Sequence, residues 1–139
     1  MIDIAGKIAK VFNARTQTFR KAIASAANAT NVLVGTVTTQ PCKIRSVIVH
    51  ANSASQADLT SAGVFGGTDI ATHTITFLSA VHAAKANIDA ANKQVAWTGK
   101  AELAATKVIA IDLEGTGATP VDLTVIIEYE ASVDGGYVI

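Results

Sequence analysis

The chain is poor in charge, in aromatic residues and in cysteine, and each shortage closes off a class of function. Only 16% of its 139 residues are charged, half are hydrophobic, and the formal net charge is zero. Soluble domains carry roughly 25% charged residues, and a domain with little charge and no net charge is weakly protected against association. Alanine inflates the hydrophobic count, but the balance still points to a protein that lives in an oligomer or lattice. Aromatic residues make up 5% of the chain, too few for the stacking platform of a single-strand nucleic-acid binder. Cys42 is the single cysteine, so neither an intrachain disulfide nor a cysteine-built zinc site can form. Beside Ile44 in an apolar stretch, it reads as a small core residue. No run of about 18 apolar residues offers a membrane span. Asp3, Lys7 and Lys10 interrupt the start of the chain, where a secretory signal needs a continuous apolar stretch.

Motifs for chemistry are also missing. His50, His73 and His82 stand in no metal-ligand spacing such as HExxH, and there is no GxSxG nucleophile elbow. The glycine-rich stretch Gly63-Val64-Phe65-Gly66-Gly67 follows no strand-to-helix pattern, and Trp97-Thr98-Gly99-Lys100 lacks the upstream glycine of a phosphate loop. Acidic residues gather at Asp112, Glu114, Asp122, Glu128 and Glu130, on the last two predicted strands. If those strands pair, the acids line one solvated surface and do not face each other across a cleft, as a glycosidase requires. The expectation is no catalytic residue, no metal ligand and no cofactor.

What the sequence does contain is period-two alternation, the mark of half-buried strands. Over residues 121–131, Val121, Leu123, Val125, Ile127 and Tyr129 share one face, and Asp122, Thr124, Glu128 and Glu130 the other, with Ile126 as the exception. Residues 107–114 put Ile109, Ile111 and Leu113 on one face. The Gly- and Pro-bearing segment 115–120 between these two strands predicts a hairpin loop. Residues 43–51 are apolar on both faces, which predicts a central strand and puts His50 on the face of Ile44 and Ile48. Further strands are expected over 31–38, 59–65, 72–77 and 95–98, with Gly66-Gly67-Thr68-Asp69 as a turn. The Ala-rich segment 79–91 has Val81, Ala84, Ile88 and Ala91 at helical spacing and Ser79 as an N-cap, which predicts one short helix.

Before residue 28, Ile4, Ile8, Phe12, Phe19, Ile23 and Ala26 would suit an amphipathic helix. Asn13, Thr16 and Thr18 are weak helix formers, and the reading taken is an arm over residues 1–15 leading into a strand over 16–25. Residues 16–139 then form one domain, a mostly β, antiparallel β-sandwich of the jelly-roll or a related type, with one short helix and the N-terminal arm. Net zero charge conceals an asymmetry. Seven basic residues stand against Asp3 before residue 58, and four lysines against ten acids from there on. Opposite halves meet across subunits, or the basic half faces an acidic partner, or strands of both halves interleave in one sheet.

The segment Thr18-Phe19-Arg20-Lys21, then Asn31-Val32-Leu33-Val34, then Lys43-Ile44-Arg45-Ser46-Val47-Ile48-Val49, resembles the layout of small virion proteins of tailed bacteriophages. The closing strand, Val121-Asp122-Leu123-Thr124-Val125-Ile126-Ile127-Glu128-Tyr129-Glu130, is similar too. The likeness covers about two thirds of the chain, leaves residues 79–92 unmatched, and rests on general β-sandwich patterns. It implies an assembly role, and the reading taken is a capsid decoration or cement subunit of the virion, a homotrimer whose partner is the major capsid protein or another virion protein. No membrane is expected, and nucleic acid is disfavoured beyond unspecific phosphate contact by Lys7, Lys10 and Arg15. A carbohydrate- or receptor-binding sandwich on a tail or fibre is the alternative; of the aromatics that could serve a sugar site, Trp97 and Tyr129 read as buried. Apolar residues near both ends, Ile2, Ile4, Ile8 and Phe12, with Tyr137, Val138 and Ile139, are the candidate interface.

Overall fold

A computed structural model describes residues 16–54, 56–132 and 135–139. Among these residues nine strands form: β1 (Gln17–Ile23), β2 (Val32–Thr38), β3 (Cys42–Ala51), β4 (Leu59–Gly67), β5 (His73–Leu78), β6 (Gln94–Leu103), β7 (Val108–Gly115), β8 (Leu123–Ala131) and β9 (Tyr137–Val138). They build two antiparallel sheets, ordered β1-β8-β3-β6 and β5-β4-β7-β2-β9. The pairs β1·β8, β2·β7, β3·β6 and β4·β5 are the rungs of one long hairpin with its tip between β4 and β5. Rolling that hairpin up brings β3 against β8 and β4 against β7. This is the jelly-roll β-sandwich that the strand count and alternation predict.

The core lies between the sheets. Ile44, Val47, Val49, Leu123, Val125 and Ile127 face Val64, Ile109, Ile111 and Leu113 across it, all fully buried. Tyr129 and Cys42 are buried with them. The strand at 17–23 settles the open reading of that segment, and Phe19 packs near Gly35 of the opposite sheet, where an added Cβ would lie 3.1 Å from its ring. The proposed arm, residues 1–15, lies outside the described residues.

The expected hairpin between β7 and β8 does not form. The two strands belong to different sheets, and the segment 115–120 crosses the end of the sandwich. It is tied there by the Ala27 N–H to Thr119 O and the Val121 N–H to Ser25 O. A Gly/Pro loop marks a change of direction, not whether the chain returns in the same sheet. The acids of β7 and β8 consequently point out of opposite sides of the sandwich.

The expected helix over 79–91 is replaced by turns and a 3-10 turn at Lys85–Asn87. The Ser79 hydroxyl does accept the His82 N–H at 3.4 Å, as a cap would. Ala84, however, is extended, with ψ 150, because the segment is stitched to β4 through the Ala62 N–H to Ala83 O bond and the Ser61–Ala84 bridge. A helix this short is marginal alone, and those tertiary bonds win. Val81, given an inward position by the spacing, is 80% exposed, whereas Ala83 and Ile88 are buried.

Candidate functional site

On the outer face of the four-stranded sheet, the alternation of β3 breaks at Arg45. Ile44 faces Tyr129 and Ser46 faces Glu128, so two steps along β3 answer one along β8. Against β6 the same two steps answer three, from Ala101 to Thr98. Two bulges therefore lie side by side. A bulge bends its strand and re-aims side chains, and here the bend opens a shallow cavity of about 470 Å³ lined by Thr16, Arg45, Ser46, Thr98, Gly99 and Glu128. The break also corrects the expected face of His50. Ile44 turns into the core, while Ile48 and His50 stay half-buried on the outer face, with the His50 ring 3.1 Å from the Gln94 side-chain oxygen.

Two walls of the cavity are held by Glu130. Arg45 Nη1 donates to both of its carboxylate oxygens at 3.4 Å, and the Thr16 hydroxyl donates to Oε1 at 3.5 Å. Ser46, at 6% exposure, forms the floor. The side chains of Ser46, Thr98 and Glu128 make no hydrogen bond or ion pair to any described residue. The cavity thus offers a guanidinium whose charge is already matched, one free carboxylate and several hydroxyls. Sequence reading missed it because the bulges set it, and Arg45 looks like one more residue of a regular strand.

The outer face of the five-stranded sheet is different. Leu33 on β2, Ala110 on β7 and Phe65 on β4 form a row across three strands. Val108 and Thr36 are paired in the next row, with Ile139 bonded to Thr36 in both directions at 2.7 and 3.0 Å. Leu33 is 46% exposed and Ile139 61%. His73 stacks on Phe65, ring centres 4.4 Å apart. At the border of this row one oxygen of Asp112 is buried with no hydrogen-bond partner.

Of the candidate interface residues, Ile2, Ile4, Ile8 and Phe12 lie outside the described residues. Val138 is buried in the core against β2, whereas Tyr137 and Ile139 on either side of it are exposed. Strands of the two halves interleave: β1, with Arg20 and Lys21, and β3, with Lys43 and Arg45, flank β8, and Lys43 stands beside Glu130.

The histidines are not brought together. His73 Nε2 lies 3.0 Å from Ile70 O, and His82 Nδ1 lies 3.0 Å from the Ser79 hydroxyl within the capped turn. Among the described residues no group of three or more His, Cys, Asp or Glu side chains could hold a metal ion. Burial pushes the Cys42 thiol up to about 11, which leaves it an unreactive core group. Burial also raises the Tyr129 phenol above its ordinary value, against a lowering from the Val138 backbone. Tyr129 is buried as expected, but Trp97 is only half-buried, edge-on to Phe77 at 4.9 Å. No family model matches the chain, and neither does any curated protein or solved structure.

Proposed function

We propose that this protein is a non-enzymatic structural subunit that acts by packing against other protein copies, as a homotrimeric decoration or cement protein on the capsid of a tailed bacteriophage. The observation that carries the packing role is the apolar row Leu33–Ala110–Phe65 on the outer sheet face, continued by Val108 and Ile139, in which Leu33 and Ile139 are exposed, Phe65 and Val108 half-buried and Ala110 buried. Apolar surface gathered in one place marks an interaction site, where scattered apolar residues do not. A jelly roll supplies a rigid body behind that row, though the fold alone assigns no role. The placement on a capsid rests on the resemblance of the strand segments quoted above.

Light scattering over a concentration series tests the first half of this reading. The native chain should run as a stable trimer or larger assembly, and Leu33→Asp should shift it to monomer without loss of fold. A strict monomer at high concentration overturns self-association. Co-sedimentation with capsid shells tests the second half, and failure to bind any shell removes the virion assignment.

A further inference from the structure

We infer that the cavity at the paired bulges is a binding site for a neutral, polyhydroxylated ligand, a sugar ring. It lies on the sheet face opposite the one proposed for assembly, so it stands or falls separately from that role. Every lining residue is polar or glycine: Thr16, Arg45, Ser46, Thr98, Gly99 and Glu128. At about 470 Å³ the space falls in the range of small-molecule sites.

The charges narrow the chemistry. A free anion would meet the carboxylate of Glu128, and the only guanidinium in the lining is already matched by Glu130 at 3.4 Å. A free cation would meet Arg45. An apolar ligand would cover the hydroxyl of Ser46, a residue 6% exposed at the floor, and leave it without a partner. Sugar hydroxyls both donate and accept. They can donate to Glu128, accept from Arg45, and do either with Ser46, Thr98 and Thr16. With no aromatic ring in the lining to stack on the sugar face, affinity belongs in the millimolar range.

Two-dimensional NMR of the intact, isotope-labelled chain tests this directly. The probes are a neutral hexose, an N-acetylhexosamine and a neutral oligosaccharide, with acetate, lysine and glycerol as controls. Saturable shifts at the amides of Arg45, Ser46, Thr98, Gly99 and Glu128 are expected with the neutral sugars only. Glu128→Gln should weaken binding about tenfold and Thr98→Val about threefold, with the rest of the spectrum unchanged. Stronger binding of the oligosaccharide identifies a glycan as the source, and equal binding a free sugar. Shifts driven by acetate or lysine overturn the inference. So do shifts that never saturate, as with glycerol, or that ignore both variants.

Discussion

Gln56 is a polar side chain buried at 1% exposure and bonded both within its own loop and across to the entry of β8. Its side-chain N–H donates to Asp122 O at 3.0 Å and to Ser53 O at 3.3 Å, and its oxygen accepts the Asp122 N–H at 3.3 Å. One amide therefore stands in for a strand at the entry to β8. Gln56→Glu keeps the shape but turns the donor into an oxygen facing two carbonyls. The expected loss is about 3 kcal/mol, read as a lower urea midpoint with an unchanged slope. Beside it, the Asp122 carboxylate is held below the ordinary aspartate value, first by the Ser53 side chain and then by that of Asn52, whose N–H donates at 3.0 Å. Asp69 is lowered likewise, first by the Ala71 N–H and then by that of Thr72, both at 2.8 Å. A carboxylate lowered on folding stabilises the native state above its unfolded pKa, about 3.9. That contribution is lost as pH falls through the folded value, because the unfolded chain then binds more protons. Melting temperature should accordingly fall as pH drops below about 4, and Asp122→Asn should flatten that fall.

At the scale of elements, what could be read from the residues was whatever alternation alone decides. Strands β2, β4, β5, β7 and β8 appear within a few residues of their predicted bounds; burial alternates cleanly along β8, whereas β4 is buried on nearly every residue and was bounded by its turn residues. Strand β6 runs on to Leu103, past the predicted end at 98, because the bulge at Gly99 and Lys100 breaks the period on which prediction depends. The same irregularity at Arg45 hid the cavity. The β7–β8 connection and the helix at 79–91 failed for a shared reason: partners more than 20 residues away decide both, and local spacing carries no information about them. A turn between β4 and β5 was legible, but it begins after Gly67: Gly66 and Gly67, predicted to turn, end β4 and pair with β5. A Cβ on Gly67 would sit 1.7 Å from the Thr72 carbonyl oxygen, so the hairpin tip must open to admit it. Gly135 has a φ of +89 but open space, the nearest atoms lying at 3.9 and 4.0 Å. Gly67→Ala should cost about 3 kcal/mol and Gly135→Ala about 1 kcal/mol. Thermal melts of the two variants measure the difference, and equal losses would mean that the β4–β5 tip yields easily.

For the molecule as a whole, the pairing of β1 with β8 joins residues far apart in sequence, such as Gln17 and Tyr129, which are 112 positions apart and whose side chains meet at 3.3 Å. Such long-range closure comes late and makes folding slow, in milliseconds to seconds. It also fixes how the domain answers a pull. The N-terminal end of β1 lies next to the C-terminal end of β8, so tension between residue 16 and Ile139 acts at one end of a shared ladder. After the two-residue β9 detaches from β2, that ladder opens one hydrogen bond at a time, since the bonds run across the strands and the pull at the paired ends acts along those bonds. Tension along the strands, applied through cross-links on the sheet faces, would have to break many bonds together. Single-molecule stretching should therefore find low rupture force from the ends and high force from cysteines placed at Thr18 and Thr124, toward opposite ends of the β1·β8 ladder. The domain resists strain best when the load enters through its sheet faces and not through its chain ends.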